Sequence, residues 1–443
     1  MTDTRVARDA EQSLVRAIGP WALGANAINL TIGAGIFALP AVVAGILGPA
    51  AVLAFLICGV LILLVLTCYV EVGTQVTRSG GAVAYIEEAF GPLAGFLAWA
   101  LYSIGFCAAS DAAIAHVLVD TVALGIPALA SGAGHVLALV LLFAGLAAIN
   151  IRGVRQGTRV SVATTVAKLL PLLLLLVVGA FAVRGANLIW SGWPSISELG
   201  AATLVLFFAF SGAEGALSPS GEIRDPGRTV PRGMLGGGAA VVLLYLALQL
   251  VAQGVLGADL AGGTTTPLAD VAQRLAGAAG RTLIVACTAV AIFGSLAADL
   301  IGTPRTFLAA GESGTLPRAF RLVHPRFRTP WFSIAAYATL IVALSLSGGF
   351  RAMAVLASMA LLLVYLAVCL AALRLRYTRA QSPESFRAPG GPTVAFIAIA
   401  TVIWVLAQST RRETLAIAIL VGASTLYYLL RRQVRAVPLV TDG

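Results

Sequence analysis

Two short stretches of this chain combine residues that can expose backbone charge inside an apolar setting. "NLTIGAGIFALP" carries Gly33 and Gly35 with Pro40 close behind, and "FFAFSGAEGALSP" brackets Glu214 between Gly212 and Gly215, with Pro219 following. Glycine frees the backbone and proline removes a hydrogen-bond donor, so both stretches favour interrupted helices. An interrupted helix leaves carbonyls at the end of its first half and amides at the start of its second. Carbonyls near Thr31 and Ile32 attract a cation such as an ammonium. Amides near Ala34, Gly35 and Ile36 attract an anion such as a carboxylate. A molecule carrying both groups fits both ends.

Three further residues could move or hold charge. Lys168, in "RVSVATTVAKLLPLLLLLVV", is the single lysine in a chain that otherwise uses arginine. Arginine stays protonated in proteins, whereas a desolvated lysine can release its proton near neutral pH. It falls nine or so residues into an apolar run, at roughly 13 Å depth by helix rise. The bland alternative is a side chain that reaches back to the lipid headgroups, over roughly 6 Å. Pro171, one turn later, frees a carbonyl near residue 167 that could receive the ammonium. Asp299, in "GSLAADLIGTPR", is open to three readings: a partner for a cationic side chain, for a substrate ammonium, or for a neighbouring donor. Asp111, in "CAASDAAIAHVLVD", reads as a vestibule or structural acid. Glu71, Glu87 and Glu88 stand at a membrane edge and are expected to pair with arginines.

The elements that position these residues follow from composition. Of the 443 residues 59% are hydrophobic and only 11% charged, and the mean hydropathy is +0.95. That is a membrane composition, not a soluble one. Residues 1–16 are polar and the first apolar run is too long for a signal-peptide core, so no cleavable leader is expected. Five cysteines (Cys58, Cys68, Cys107, Cys287, Cys369) lie in or beside apolar runs without CxxC spacing. They read as buried thiols. Three histidines show no metal-ligand spacing, so no metal or cofactor is expected.

Apolar runs predict twelve spans, among them 17–45, 92–122, 159–183, 197–219 and 281–309. Even parity puts both termini on one side. Segments on that side hold 22 arginines and opposite segments six. By the positive-inside rule both termini are cytoplasmic, in the cell membrane. The net charge of +10 is then a topology signal that meets anionic lipid. A nucleic-acid partner is not expected. Trp190 and Trp193 suit an outer aromatic belt.

A lone GxG in a membrane helix is more often a packing device. Here the interruptions open span one and span six, the first members of two successive groups of five. Five is odd, so the second group enters from the opposite face. Broken helices at matching positions of two inverted halves point to a transporter with its site at the breaks. The organisation predicted is a cytoplasmic tail at 1–16, a first repeat at 17–190 and a second inverted repeat at 197–378. Two further helices follow at 392–431, then a tail at 432–443.

With these residues in hand, the chain resembles the amino acid–polyamine–organocation (APC) superfamily of permeases. "IGAGIFALP" is similar to the family's first-helix signature, and "EVGTQVTRSGGAVAYIEEAFGP" to the loop after helix two, with Thr77 where a proline is usual. "FFAFSGAEGALSPSGEIRDPGRTVPRG" resembles helix six and beyond, and "GTPRTFLAAGESGTLPRAFRLVHPRFRTP" the end of helix eight and its loop. The resemblance implies an all-α integral membrane fold of 12 helices, a LeuT-like 5+5 inverted repeat plus two C-terminal helices, working by alternating access. It implies that Gly33, Ala34 and Gly35 bind a carboxylate, Ala34 standing where some members have a hydroxyl. Carbonyls of Thr31, Phe208 and Ser211 match those that hold the α-amino group, and Phe208 takes the place of an aromatic gate. Glu214 matches a glutamate linked with proton-dependent gating in arginine antiporters. Lys168 matches a helix-five lysine standing where sodium-coupled relatives bind a cation, which suggests that sodium is not required.

The expectation is a proton-coupled amino acid permease without covalent chemistry. Substrate sits at Thr31–Ile36, Phe208, Ser211, Gly212 and Asp299, with Lys168 and Glu214 coupling protons. An obligate exchanger is the alternative within transport, and a channel or sensor the alternative outside it. The side chain carried stays open.

Overall fold

The computed structural model describes residues 16–153, 158–190, 192–262, 266–379 and 385–436, with side chains of 158–167 and 432–436 left out. Most of both expected tails, 1–15 and 437–443, lies outside the described residues. Within them the chain is helical, and the only β pairing is an isolated bridge between Ile18 and Ile223.

The helices follow in order: α1 (Pro20–Thr31), α2 (Gly35–Leu47), α3 (Ala51–Gln75), α4 (Gly81–Phe90), α5 (Pro92–Ala100), α6 (Ala109–Ala123) and α7 (Gly132–Arg152). Then come α8 (Thr158–Ala180), α9 (Ile196–Phe210), α10 (Pro226–Leu256), α11 (Pro267–Glu312), α12 (Trp331–Ser347), α13 (Phe350–Thr378), α14 (Pro392–Leu406) and α15 (Arg411–Ala436). A π-helical stretch, Leu101–Ala108, joins α5 to α6. Inside α11 the backbone leaves helical geometry at Ala276 and Gly277, so its first turns form a separate piece.

Eight helical stretches among the described residues are long and apolar enough to cross a membrane, and three shorter apolar helices accompany them. The sequence predicts twelve. The two counts part at the first break: α1, 12 residues long, is too short to qualify alone, and α2 runs on into α3 as a single stretch, Gly35–Gln75.

The interior is dominated by α9, α3, α10 and α13. α9 packs against α2, α3 and α13, and α10 packs against α1 and α3. Phe55, Phe207, Phe210, Tyr69, Tyr245 and Tyr365 are wholly buried there. Their rings meet edge-on, Phe210 with Tyr245 at 5.1 Å and Phe207 with Tyr365 at 5.5 Å. Edge-to-face pairs satisfy the ring quadrupoles while filling volume. In an apolar surround the driving force for such contact is close packing, since lipid is as apolar as the side chains.

The acids at the arginine-rich edge pair as expected. Glu71 takes Arg376 through both oxygens at 2.7 Å and also accepts from the Ala388 amide at 3.2 Å. That ties α3, α13 and the segment before α14 together. Glu87 pairs with Arg78 at 3.0 Å, and Glu88 with Arg379 at 3.4 Å.

Candidate functional site

Both interrupted helices are broken where the glycines stand. α1 ends at Thr31, Ile32 turns out of helical geometry (φ −74°, ψ 88°), and α2 starts at Gly35. α9 ends at Phe210, Ser211 is extended (φ −77°, ψ 156°) and Gly212 has φ 114°. That left-handed value is cheap for glycine and strained for any other residue. A single-turn 3₁₀ segment, Ala213–Leu217, follows.

The breaks also pack on each other. A Cβ at Gly212 would lie 2.6 Å from the Leu30 carbonyl oxygen, and one at Gly35 would lie 2.7 Å from the Ala209 Cα. Gly35 and Gly212 are therefore packing residues whatever else they do. Gly33 differs: the nearest atom to its would-be Cβ is the Thr31 oxygen at 4.0 Å. Its missing side chain faces open space.

That space is a central cavity of about 670 Å³. One wall is the two breaks, with Thr31, Gly33, Ala34, Gly35, Phe208, Ser211 and Gly212. The other is formed by α6, α8, α11 and the π-helical stretch, with Asp111, Lys168, Asp299 and Tyr102. Of the residues expected at the site, Ile32, Ile36 and Glu214 do not line it. The two isoleucines are fully buried in the core, so only their backbone could face a ligand.

Carbonyl availability also departs from expectation. The Thr31 oxygen already accepts from the Gly33 amide at 2.8 Å and from the Tyr245 hydroxyl at 3.1 Å. The Phe208 oxygen accepts from the Ser211 hydroxyl at 2.7 Å. An oxygen has two lone pairs, so Thr31 is saturated here and Phe208 keeps one. Asn29, a residue that the sequence reading did not single out, also lines the cavity. Its Oδ1 is buried and has no partner among the described residues.

Lys168 is 7% exposed, and its ammonium donates to the Ser295 hydroxyl at 3.0 Å. The partner is a side chain of α11, where the sequence pointed to a carbonyl freed by Pro171. No carboxylate pairs with it among the described residues. Burial at this level leaves no route for the side chain to reach headgroups. Glu214 is 2% exposed and lies behind the second break. Its Oε2 accepts from the Gly212 amide at 3.0 Å and closely from the Tyr365 hydroxyl. Its other oxygen has no partner among the described residues. The carboxyl thus props the break open from the protein side.

The acids of α6 and α11 come together. Asp111, 1% exposed, accepts from the Tyr337 hydroxyl at 3.0 Å. Asp299 accepts from Thr303 at 3.2 Å. Both acids line the cavity, and each has a structural partner in a hydroxyl. The π-helical stretch, which brings Tyr102 and Cys107 to the wall, has no signature in the sequence. One inserted residue per turn changes which face points inward, and no residue type enforces it.

A bundle of apolar helices around a largely apolar cavity with a few polar groups, walled on one side by two broken helices, is the construction of a membrane carrier. Residues 18–428 match the family described as amino acid permease, and the chain belongs to that family. It is 29% identical to the serine/threonine exchanger SteT of Bacillus subtilis, over 92% of this chain and 94% of that one. It is 27% identical to the methylthioribose transporter of the same organism, over 97% and 96%. Its identity to that organism's branched-chain amino acid permease BcaP is 25%, over 90% and 89%. The family and these relatives are multi-pass membrane transporters or permeases, not enzymes.

Proposed function

We propose that this protein is a secondary transporter of amino acids that works by alternating access, with substrate held between the broken helices. The observation that carries the reading is the open space at Gly33, beside the first-turn amides of α2 and across the cavity from Asp299. The Phe37 amide is taken by the Ala34 oxygen at 3.1 Å, whereas those of Gly35 and Ile36 have no partner within their own helix and suit an α-carboxylate. The remaining lone pair at Phe208 suits an α-ammonium. Twelve spans, two inverted five-helix repeats at 17–190 and 197–378, helices at 392–431 and cytoplasmic termini complete the proposal. Arginine asymmetry supports the orientation.

Coupling to protons belongs to the same proposal. Lys168 bridges α8 to α11 by a hydroxyl that can accept from a charged amine and, more weakly, from a neutral one, so the contact survives proton loss in weakened form. Obligate exchange is the second reading, favoured by the likeness to a serine/threonine exchanger. The experiment is uptake of a panel of labelled amino acids into proteoliposomes, with and without a proton gradient and with and without internal substrate. Gradient-driven uptake into empty vesicles supports symport. Uptake only against internal substrate supports exchange. No saturable uptake of any amino acid under either condition overturns the reading.

A further inference from the structure

Phe208 lines the cavity, and its outer side is covered by another ring. Phe350, the first residue of α13, packs edge-on against it with centroids 6.2 Å apart and planes at 82°. Phe350 itself is half-buried and does not line the cavity. It therefore stands behind Phe208 as seen from the substrate. The chain immediately before it, the turn from α12 into α13, is held by a histidine of α6. His116 Nε2 lies 3.1 Å from the Ser345 oxygen and 3.0 Å from the Gly348 oxygen. Its Nδ1 lies 2.9 Å from His135 Nε2, and His135 Nδ1 lies 3.2 Å from the Leu129 oxygen.

Counting protons on these contacts gives an unusual result. Carbonyl oxygens only accept, so His116 Nε2 and His135 Nδ1 must each carry a hydrogen. The contact between the two rings needs a third. Two neutral imidazoles hold two protons, so the full set of contacts requires one ring to be an imidazolium. Asp120 Oδ1, 3.8 Å from His135 Nδ1, supplies the opposite charge. Asp120 shares α6 with His116. From the other elements around the pair, Arg351 of α13 is exposed, and Asp270 and Arg281 of α11 pair with each other at 3.3 Å. α12 presents no charged residue.

We infer that Phe350 is the second half of a gate that closes the cavity behind Phe208, and that His116 and His135 latch this gate through their shared third proton. The inference rests on the cavity being the transport site. When the third proton is present, every contact from Leu129 to Gly348 is made and the turn is fixed. When it leaves, one contact becomes lone pair against lone pair, and the turn holding Phe350 is released. The latch is therefore closed at the acid end of the histidine range and loosened at the alkaline end, across about pH 5 to 8.

The test uses the full chain in sealed vesicles and reads access rather than transport. Cys107 lines the cavity, so its labelling by a membrane-impermeant thiol reagent, added to one face at a time in a Cys287→Ser background, reports the gate. Phe350→Ala should speed labelling from one face only, by about fivefold, since an aromatic pair of this geometry shifts an equilibrium by that order. Phe350→Leu, which keeps bulk without the ring, should act in the same direction and serves if the alanine variant folds poorly. Dividing the native rate by the Phe350→Ala rate at each pH removes the thiol's own titration. That ratio should rise from about pH 5 to 8 in the native protein. His135→Gln, whose amide donates to a neutral His116 Nδ1 at any pH, should hold it flat throughout.

Unchanged labelling in both Phe350 variants, or an equal increase from both faces, overturns the gate. A flat ratio in the native protein, or a His135→Gln profile that follows the native one, overturns the latch. Because labelling needs no substrate, its failure leaves the uptake experiment standing. Absent uptake with gated labelling overturns only the transport reading.

Discussion

Gly33 and Gly35 are two residues apart and face different surroundings, so substitution at each separates binding from packing. Gly33 lies outside the left-handed region and its would-be Cβ meets nothing closer than 4.0 Å. A leucine there is tolerated by the backbone and projects into the cavity of about 670 Å³, over the amides that open α2. Hydrogen bonds to a charged group contribute about 1.5–3 kcal/mol each. Denying a carboxylate two of them costs about 3–6 kcal/mol, or about 10²- to 10⁴-fold in affinity. Gly35→Ala adds only a methyl, but that methyl would sit 2.7 Å from the Ala209 Cα. Backbone cannot move aside as a side-chain tip can, so overpacking of about 1–3 kcal/mol is expected, with a lower unfolding temperature. The assay is equilibrium binding of the best labelled substrate to detergent-purified protein, beside thermal unfolding of each variant. Gly33→Leu should lose binding and keep its unfolding temperature, and Gly35→Ala should show the reverse emphasis. Native-like binding in Gly33→Leu would refute the claim that the first break holds substrate.

Three further outcomes follow from the same geometry. Lys168→Arg keeps a cation near Ser295 but cannot release it, so transport rate plotted against pH should flatten. A native profile would make Lys168 a fixed structural charge. Asp299→Asn keeps an acceptor for Thr303 while removing a carboxyl from the cavity wall, and should weaken transport of arginine, lysine or ornithine more than of neutral amino acids. Should neutral amino acids prove the native substrates and be unaffected, Asp299 is structural. Glu71→Ala leaves the Arg376 guanidinium, whose side chain is 15% exposed, without its carboxylate. A loss of about 3–5 kcal/mol is expected in chemical unfolding, and a loss below about 1 kcal/mol would class the pair with exposed ones.

The membrane class, the helical fold and the two breaks were legible in the sequence because each depends on local chemistry. Apolar length decides whether a segment favours lipid, and glycine with proline decides where a helix fails. The same locality made Lys168 visible as the single cation in an apolar run. What surrounds a residue is a matter of which helices meet, and that was decided only in three dimensions. Asp111 and Asp299 are far apart in sequence and line one cavity because α6 and α11 meet there. Glu214 stands out in the sequence as an acid inside the membrane, but only the fold ties it to Gly212 and Tyr365. Gly33 and Gly35 look alike on paper, yet Ala209 stands against one and open space against the other. His116, without metal-ligand spacing in the sequence, meets two carbonyls more than two hundred residues away. Backbone carbonyls carry no residue identity, so a contact made to them leaves no trace in the sequence until the chain folds.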